Sequence, residues 1–236
     1  VTLLRLEEAQ VRALSHTQRE VLDQLEHAAM PFLERASTGA AGLVVTPSGR
    51  RRFGFILNPD ELVLIDDGDV CAIALGRAVE DRARVEGPAG AFCVLLRELL
   101  RDHPVRISRM HEDFELMEQR VLEGRERPDR RKMMADSRRM LGLDTFYQGM
   151  SDLVAELAED DSGLVAPADR VRLRSLERLL GRLATRLESL QDYSLQVHSL
   201  YQESIDVRQN NVMQWLTVVT TIVMPLTFVT GWYGMN

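Results

Sequence analysis

The chain has 236 residues, 45% of them hydrophobic, with a formal net charge of -7 and a mean hydropathy of -0.16. A chain of this length can bury a sizeable core, in one large domain or two small ones. The acidic balance argues against a nucleic-acid-binding protein, because a phosphate backbone needs a concentrated basic face.

Residues with reactive side chains are scattered along the sequence. Cys71 and Cys93 lie far apart and outside any Cys-x-x-Cys spacing, so they predict two buried, reduced thiols and neither a zinc site nor a disulfide framework. The five histidines form no cluster, and we expect surface or helix-capping positions for them. A phosphate loop, a nucleophile elbow and a catalytic dyad are all missing from the sequence, so we expect neither an enzyme nor a bound cofactor.

The first part of the chain changes pattern once. Apolar residues at helical spacing from about residue 6 to residue 36 predict one or two helices. Gly and Pro then separate three short runs of β-branched and aromatic residues, at 43–45, 53–57 and 62–65. These runs predict strands of a small, mostly antiparallel sheet. We assign residues 1–88 to an α/β cytoplasmic domain.

The rest of the chain has helical periodicity. Residues 89–168 predict two antiparallel helices, separated from the next element by Asp160-Asp161-Ser162-Gly163 and Pro167. From Leu173 to Ser204 apolar residues recur three and four positions apart, which predicts a heptad seam on a stalk helix over residues 169–211. A helix from Asp169 to Trp232 would be about 95 Å long.

The last 25 residues, 212–236, contain no Asp, Glu, Lys, Arg or His. About 20 apolar helical residues cross a bilayer core, and residues 213–232 supply that number. We therefore predict one transmembrane helix that continues the stalk, in an α+β protein. The N-terminal region lacks the form of a signal peptide, so we expect it to stay in the cytoplasm.

Three motifs in this region stand at a fixed spacing. They are Asn210-x-Val212-Met213-x-x-Leu216-Thr217, then Met224-Pro225-Leu226-Thr227-Phe228, then Gly234-Met235-Asn236. Together they resemble the first membrane helix of the CorA family of divalent-cation transporters. The resemblance implies a homopentamer in the inner or plasma membrane, with a cytoplasmic funnel and two membrane helices per subunit. The family's second membrane helix is absent from this sequence, and it stays open whether the chain forms a pore without it.

The resemblance also assigns roles to individual residues. It implies a selectivity ring of Asn236 side chains at the outer mouth, to which the Gly234 carbonyl oxygens would add. Residues that match the family's conduction path, or share its helical face, are Asn210, Met213, Leu216, Thr217, Thr220, Met224 and Thr227. From periodicity alone, Met and Thr in a membrane helix serve packing more often, with Thr bonding to its own backbone.

Regulation is where the sequence departs from the family. CorA proteins sense intracellular Mg²⁺ through carboxylates between adjacent subunits, and two of those acidic positions fall on Ser175 and Ser199 here. Either Glu177, Asp160 and Asp161 serve as regulatory metal ligands instead, or this chain lacks that form of regulation.

The resemblance implies passive uptake of Mg²⁺ through a homopentameric pore, with Co²⁺ or Ni²⁺ as further candidates. Mg²⁺ would be the transported ion and a candidate regulatory ligand, and the expected partners are membrane lipid and divalent cations, without nucleic acid. Two alternatives stay open, a Zn²⁺ transporter of the same superfamily and a non-conducting, membrane-anchored sensor or scaffold.

Overall fold

The computed structural model describes residues 2–5, 31–36, 39–49, 51–66, 69–83, 85–123 and 130–234. Within these ranges the strands are β1 (Thr2–Arg5), β2 (Phe32–Ala36), β3 (Gly39–Val45), β4 (Arg52–Leu57) and β5 (Leu62–Asp66). The helices are α1 (Val70–Glu80), α2 (Gly87–Leu100), α3 (His103–Leu122), α4 (Arg130–Ala158) and α5 (Pro167–Gly234). The arrangement is the α+β fold that the sequence predicted.

The five strands form one sheet in the order β1-β5-β4-β3-β2. The pairs β2–β3, β3–β4 and β4–β5 are antiparallel, and β1 pairs parallel with β5 at the edge of the sheet. The three predicted strands are confirmed as β3, β4 and β5. Residues on both faces of these strands are buried. Their sequences are therefore continuous apolar runs, without the alternation of apolar and polar residues found when one face is exposed to solvent.

The sequence prediction was wrong for β2. Phe32 to Ala36 were assigned to a helix, but they form an edge strand in which Phe32 pairs with Leu43 and Ala36 with Gly39. Backbone pairing with β3 overrides the helical propensity of Leu33, Glu34 and Arg35. Gly42 allows this pairing to be close, because a Cβ there would lie 2.4 Å from the Phe32 carbonyl oxygen. The remainder of that predicted helical region, residues 6–30, lies outside the described residues.

α2, α3 and α4 pack lengthwise along the first part of α5. α2 and α3 run in the same direction as α5, since Cys93 lies beside Asp169 and the Tyr193 hydroxyl donates to the Glu118 carboxylate. α4 runs the opposite way, and its late residue Tyr147 meets His103 at the start of α3. The predicted antiparallel pair is thus α3 and α4, although both make their most extensive contacts with α5.

The predicted heptad seam is buried within the chain. Its buried members are Leu173, Leu176, Leu180, Leu183, Leu187, Leu190, Val197 and Tyr201. They pack against α3 and α4, so the periodicity reports intramolecular packing and does not indicate how many copies assemble. The same core continues into the sheet across residue 88, where the sequence suggested a domain boundary.

α5 spans 68 residues, with Pro225 inside it. At 1.5 Å per residue its length is about 100 Å. The prediction of one unbroken helix from the stalk into the apolar segment is therefore confirmed up to Gly234.

Candidate functional site

The end of α5 is an apolar helix with no cover in the single chain. Arg208 is its last charged residue, and side chains from Asp206 to Trp232 are exposed. Among the described residues this is the one helix long and apolar enough to cross a membrane, and none of its most apolar window is buried. Exposed apolar surface of this extent needs lipid or other protein around it.

A cavity beside α5 shows where the packed domain ends along this helix. This cavity, of about 590 Å³, lies between the end of α3 at Val121 and the α5 residues Arg208, Val212 and Met213. The tip of α3 therefore reaches the level at which α5 loses its charges. The packed domain and the apolar helix meet at this level.

The predicted pore-face residues that the structure describes fall on one face of α5. Steps of three and four residues connect Asn210, Met213, Thr217, Thr220, Met224 and Thr227 in an unbroken helix, with Leu216 at the edge of the same face. Gly234 is the last residue of α5. Asn236, the predicted selectivity residue, lies outside the described residues.

Each threonine on this face donates its hydroxyl hydrogen to its own helix. Thr217, Thr220 and Thr227 bond to carbonyl oxygens four residues earlier, each at 2.8 Å. This is the backbone bonding that threonine adopts in helices generally. Because each hydroxyl hydrogen is used in this way, the oxygen can take part in a further hydrogen bond only as an acceptor.

Pro225 leaves a carbonyl group without its helical partner. Proline has no backbone N–H, so the Thr221 carbonyl loses the donor that position 225 would supply in a regular helix. Thr221 lies within the apolar segment, where a carbonyl oxygen has few other donors. The segment thus contains one further oxygen acceptor beside the threonine hydroxyls.

The apolar members of the face are large and flexible. Met213 and Leu216 are each 66% exposed in the single chain, and Met224 is 72% exposed. Bands of apolar residues therefore alternate with bands of hydroxyls along the face. In a narrow aqueous path such apolar bands exclude water.

The three predicted regulatory carboxylates are not gathered into one site. Asp160 is buried, accepts the Ser162 hydroxyl at 2.8 Å and lies 3.6 Å from an Arg35 guanidinium nitrogen. Asp161 is exposed and pairs with Arg170 at 3.7 Å, and Glu177 follows along α5. No group of three His, Cys, Asp or Glu side chains within the described ranges could hold a metal ion.

Ser175 and Ser199, onto which the resemblance places two of the family's acidic positions, are both exposed on α5. The Ser199 hydroxyl donates to the Gln196 carbonyl oxygen at 2.8 Å. Neither position offers a carboxylate.

The sequence prediction missed a buried polar pair. His103, expected at the surface or in a cap, begins α3 and is only 5% exposed. Its Nδ1 atom lies 2.9 Å from the Tyr147 hydroxyl. Burial lowers the pKa of His103 to about 4, and the nearby Arg106 charge adds to that effect, so the imidazole is neutral at pH 7.

The two cysteines are buried and free, as predicted. Burial, with a smaller effect from Asp169, raises the pKa of Cys93 to about 12. Burial also raises the pKa of Cys71, together with the Asp66 carboxylate, which accepts the Cys71 backbone N–H at 2.7 Å at the start of α1. Neither thiol forms an appreciable thiolate near neutral pH.

An α+β domain packed on a long helix that ends in an exposed apolar segment defines a membrane protein with a large water-facing domain. Residues 43–236 match the family described as CorA-like Mg²⁺ transporter protein. The chain belongs to this family, which is one of ion transporters.

One curated relative and several solved structures are similar to the chain. The relative is the cobalt/magnesium transport protein CorA of Thermotoga maritima, 26% identical over 142 residues. That match spans 60% of this chain and 40% of the relative's length.

Among solved structures, the full-length CmaX protein is 18% identical with a TM-score of 0.83, over 97% of this chain and 75% of that one. The complete CorA magnesium transporter of Methanocaldococcus jannaschii is 17% identical with a TM-score of 0.71, over the same shares. The ZntB cytoplasmic domain of Vibrio parahaemolyticus is 11% identical with a TM-score of 0.61, over 89% of this chain and 88% of that one. At these identities the structural likenesses show the fold alone.

Proposed function

We propose that the chain is the subunit of a homopentameric channel for passive Mg²⁺ uptake. The carrying observation is the exposed, charge-free segment of α5, which continues directly from the packed stalk to Gly234 and is followed in the sequence by Met235 and Asn236. Membership of the CorA-like family supports an ion path along this helix. The name of the Thermotoga relative adds cobalt as a second candidate ion.

The side chains on the proposed pore face suit a hydrated cation. Mg²⁺ loses its water reluctantly, so the species that enters is the ion with its inner water shell. Those waters point their hydrogens outward and need acceptors around them. Thr217, Thr220 and Thr227 present such acceptors, because their own hydrogens are already donated to the helix.

In this proposal the outer mouth is a ring of Asn236 side chains. Amide oxygens accept hydrogen bonds from the water shell without a fixed charge, and backbone carbonyl oxygens of Gly234 add further acceptors. A ring of carboxylates would hold a divalent ion more tightly and slow its release. Neutral amides therefore favour both the selection of the hydrated ion and its passage through the mouth.

The driving force is the membrane potential. Two positive charges that cross 100 mV gain about 4.6 kcal/mol, which suffices for accumulation without nucleotide hydrolysis. In the closed state we assign the barrier to Met213, Leu216 and Met224, whose apolar side chains would expel water from a narrow path. Small rotations of α5 would move these side chains out of the path.

Flux into liposomes by the complete protein tests this function. With a potential negative inside, we expect Mg²⁺ entry that falls at least about tenfold in Asn236→Ala, by analogy with the loss of other essential polar ligands. Asn211→Ala is the matched control, because Asn211 lies about 100° round the helix from Asn210 and off the proposed face. Undiminished flux in Asn236→Ala would contradict the selectivity assignment.

The same assay separates the alternatives. Competition by Co²⁺, Ni²⁺ and Zn²⁺ against Mg²⁺ ranks the ions, and Zn²⁺ entry above Mg²⁺ entry would establish a zinc transporter. The resemblance to the CorA family favours Mg²⁺ over Zn²⁺, because Met235 is the middle residue of the Gly-Met-Asn tripeptide. Absence of flux for all four ions, with the assembled protein present in the liposome, would favour the non-conducting scaffold.

For regulation, we propose that cytoplasmic Mg²⁺ has a weak effect on this channel. Ser175 and Ser199 supply no carboxylates, and Asp160 is engaged by Ser162 and Arg35. Glu177 and Asp161 are the remaining candidates for a site shared between subunits. Flux that is insensitive to internal Mg²⁺ in both the parent and Glu177→Gln would support this view, whereas strong inhibition in the parent would contradict it.

A further inference from the structure

A second cavity lies in the cytoplasmic domain, far from α5's apolar segment. We call it the hairpin cavity, because the turn between β3 and β4 forms one wall. Its volume is about 410 Å³, within the range of small-molecule sites. β3, the β3–β4 turn, α1, α2, α3 and α4 all contribute lining residues.

The floor of the hairpin cavity is apolar. Val44, Leu99 and Phe146 contribute to it, and Val44 and Phe146 are almost fully buried. The hairpin wall is fixed against α4 at Gly142, where a Cβ would lie 2.4 Å from the Pro47 carbonyl oxygen. The cavity is therefore formed before any ligand arrives, which favours binding.

The rim is rich in hydrogen-bond donors. Arg51, Arg77 and Arg106 line it with Thr46 and Ser48. Arg77 pairs with Asp102 at 3.0 Å, and the cavity's carboxylate, Glu98, pairs with Arg101 at 3.1 Å. Arg51 and Arg106 have no carboxylate partner among the residues that the structure describes. Two guanidinium groups at one rim attract an anion.

A buried imidazole also opens into the cavity. His103 lines it and is 5% exposed, with Nδ1 engaged by Tyr147. Its Nε2 atom has no hydrogen-bond partner in the described part of the chain. In that part, every side-chain nitrogen or oxygen that is fully shielded from solvent does have a partner, so Nε2 must be accessible to solvent. Nε2 is therefore reachable from the cavity. When the Tyr147 hydroxyl donates to Nδ1, Nε2 carries the hydrogen and is one more donor.

We propose that the hairpin cavity binds a nucleotide, with its phosphates at Arg51 and Arg106 and its base against Phe146 and Leu99. A donor-rich rim above an apolar, aromatic floor matches a ligand with one anionic end and one flat end. The cavity lies near the sheet and not at the membrane-proximal tip of α3, so a lipid headgroup does not fit this position. This inference does not depend on the proposed transport function.

Calorimetric titration of the full chain in detergent, without divalent ions, tests the proposal with ADP, pyrophosphate and adenosine as probes. We expect ADP to bind more tightly than pyrophosphate and adenosine. Arg51→Gln with Arg106→Gln should weaken ADP binding at least about tenfold, because charge-assisted hydrogen bonds are lost. Ile73→Trp, at a rim position that is half-exposed, should weaken ADP binding by filling the mouth of the cavity without a change in charge.

The matched control is Arg109→Gln with Arg138→Gln, two exposed arginines that do not line the cavity. These changes should leave ADP binding as in the parent. ADP binding no tighter than pyrophosphate binding would overturn the nucleotide assignment. Absence of ADP binding at millimolar concentration, or equal loss in both pairs of variants, would overturn the site. Binding to the monomer but not to the assembled oligomer would also overturn it, since the arginines would then face a neighbouring copy.

Discussion

The Nδ1 atom of His103 and the hydroxyl oxygen of Tyr147 lie 2.9 Å apart where the start of α3 meets the late part of α4. Both side chains are buried, and the Phe146 ring packs beside them with its centroid 5.4 Å from that of the imidazole. The pair connects two helices that otherwise contact mainly α5. It is a polar link within an apolar core, and the lowered pKa of His103 predicts that the stability of the fold depends on pH.

The stability of the α+β domain should fall as pH decreases from 6.5 to about 4. The pKa of His103 is lowered from 6.5 to about 4 in the folded chain. Above pH 6.5 the imidazole is neutral in both the folded and the unfolded chain, and the buried His103 contributes fully to the free energy of unfolding. Below pH 6.5 the unfolded chain takes up the proton first, which favours unfolding. The total loss is on the order of 3 kcal/mol.

Thermal unfolding of the parent and of His103→Phe across this pH range measures the effect. The variant is expected to be less stable at pH 7, because the Tyr147 hydroxyl loses its partner, but its stability should depend less on pH. His198→Phe removes an exposed histidine and should keep the parent's profile. Parallel profiles for the parent and His103→Phe would show that His103 is not the group responsible.

Gly142→Ala should destabilise the chain by about 1–3 kcal/mol. The new Cβ would lie 2.4 Å from the Pro47 carbonyl oxygen, so the β3–β4 turn must shift away from α4. Gly181→Ala is the matched change in α5, where a Cβ meets nothing within 4 Å, and it should stabilise by about 0.5–1 kcal/mol. Chemical denaturation of both variants checks the sign, and a stable Gly142→Ala would mean that the turn is not held against α4.

Leu187→Ala should cost about 2–5 kcal/mol, because Leu187 is fully buried in the seam between α5 and its neighbours. Leu195→Ala, on the same helix but 67% exposed, should change stability by less than about 0.5 kcal/mol. Denaturation at several protein concentrations shows whether the loss depends on assembly. A Leu187→Ala effect that appears only in the oligomer would contradict packing within one chain.

Met213→Ser should raise Mg²⁺ flux several-fold when the channel is otherwise closed, because a hydroxyl lets water remain in an apolar constriction. Val218→Ser is the control, since position 218 lies about 140° round the helix from 213. Flux into liposomes at zero internal Mg²⁺ compares the two. An equal rise in both variants would indicate general loosening of the helix and no specific constriction at Met213.

Local sequence patterns predicted those strands and helices whose buried residues form a recognisable pattern in the sequence. Residues 53–57 and 62–65 were recognisable as strands because β-branched and aromatic runs stand between turn residues. Phe32–Ala36 was missed because its Leu, Glu and Arg favour a helix, and only pairing with β3 decides the outcome. The helix Val70–Glu80 was also missed, since it is short and its small residues give no clear stripe.

The spacing of apolar residues along a helix does not show which element or molecule covers the apolar face. The heptad seam was predicted from Leu173 to Ser204, and α3 and α4 bury most of its members within the chain. Helical spacing placed Thr217 and Thr220 on the same face as the family's conduction-path residues, and their hydroxyls bond to the backbone as threonine is expected to do in a membrane helix. The His103–Tyr147 pair joins residues 44 positions apart, which no local pattern reveals.

Cysteine accessibility along α5 tests the pore assignment most directly. Thr220→Cys places a thiol on the proposed pore face, and Ile222→Cys places one about 200° round the same helix. The native Cys71 and Cys93 are buried and add little background. In liposomes with Mg²⁺ flux, a water-soluble cationic thiosulfonate should block Thr220→Cys and leave Ile222→Cys unaffected. Block of Ile222→Cys with Thr220→Cys unaffected, or equal modification of both, would contradict a conduit lined by this face.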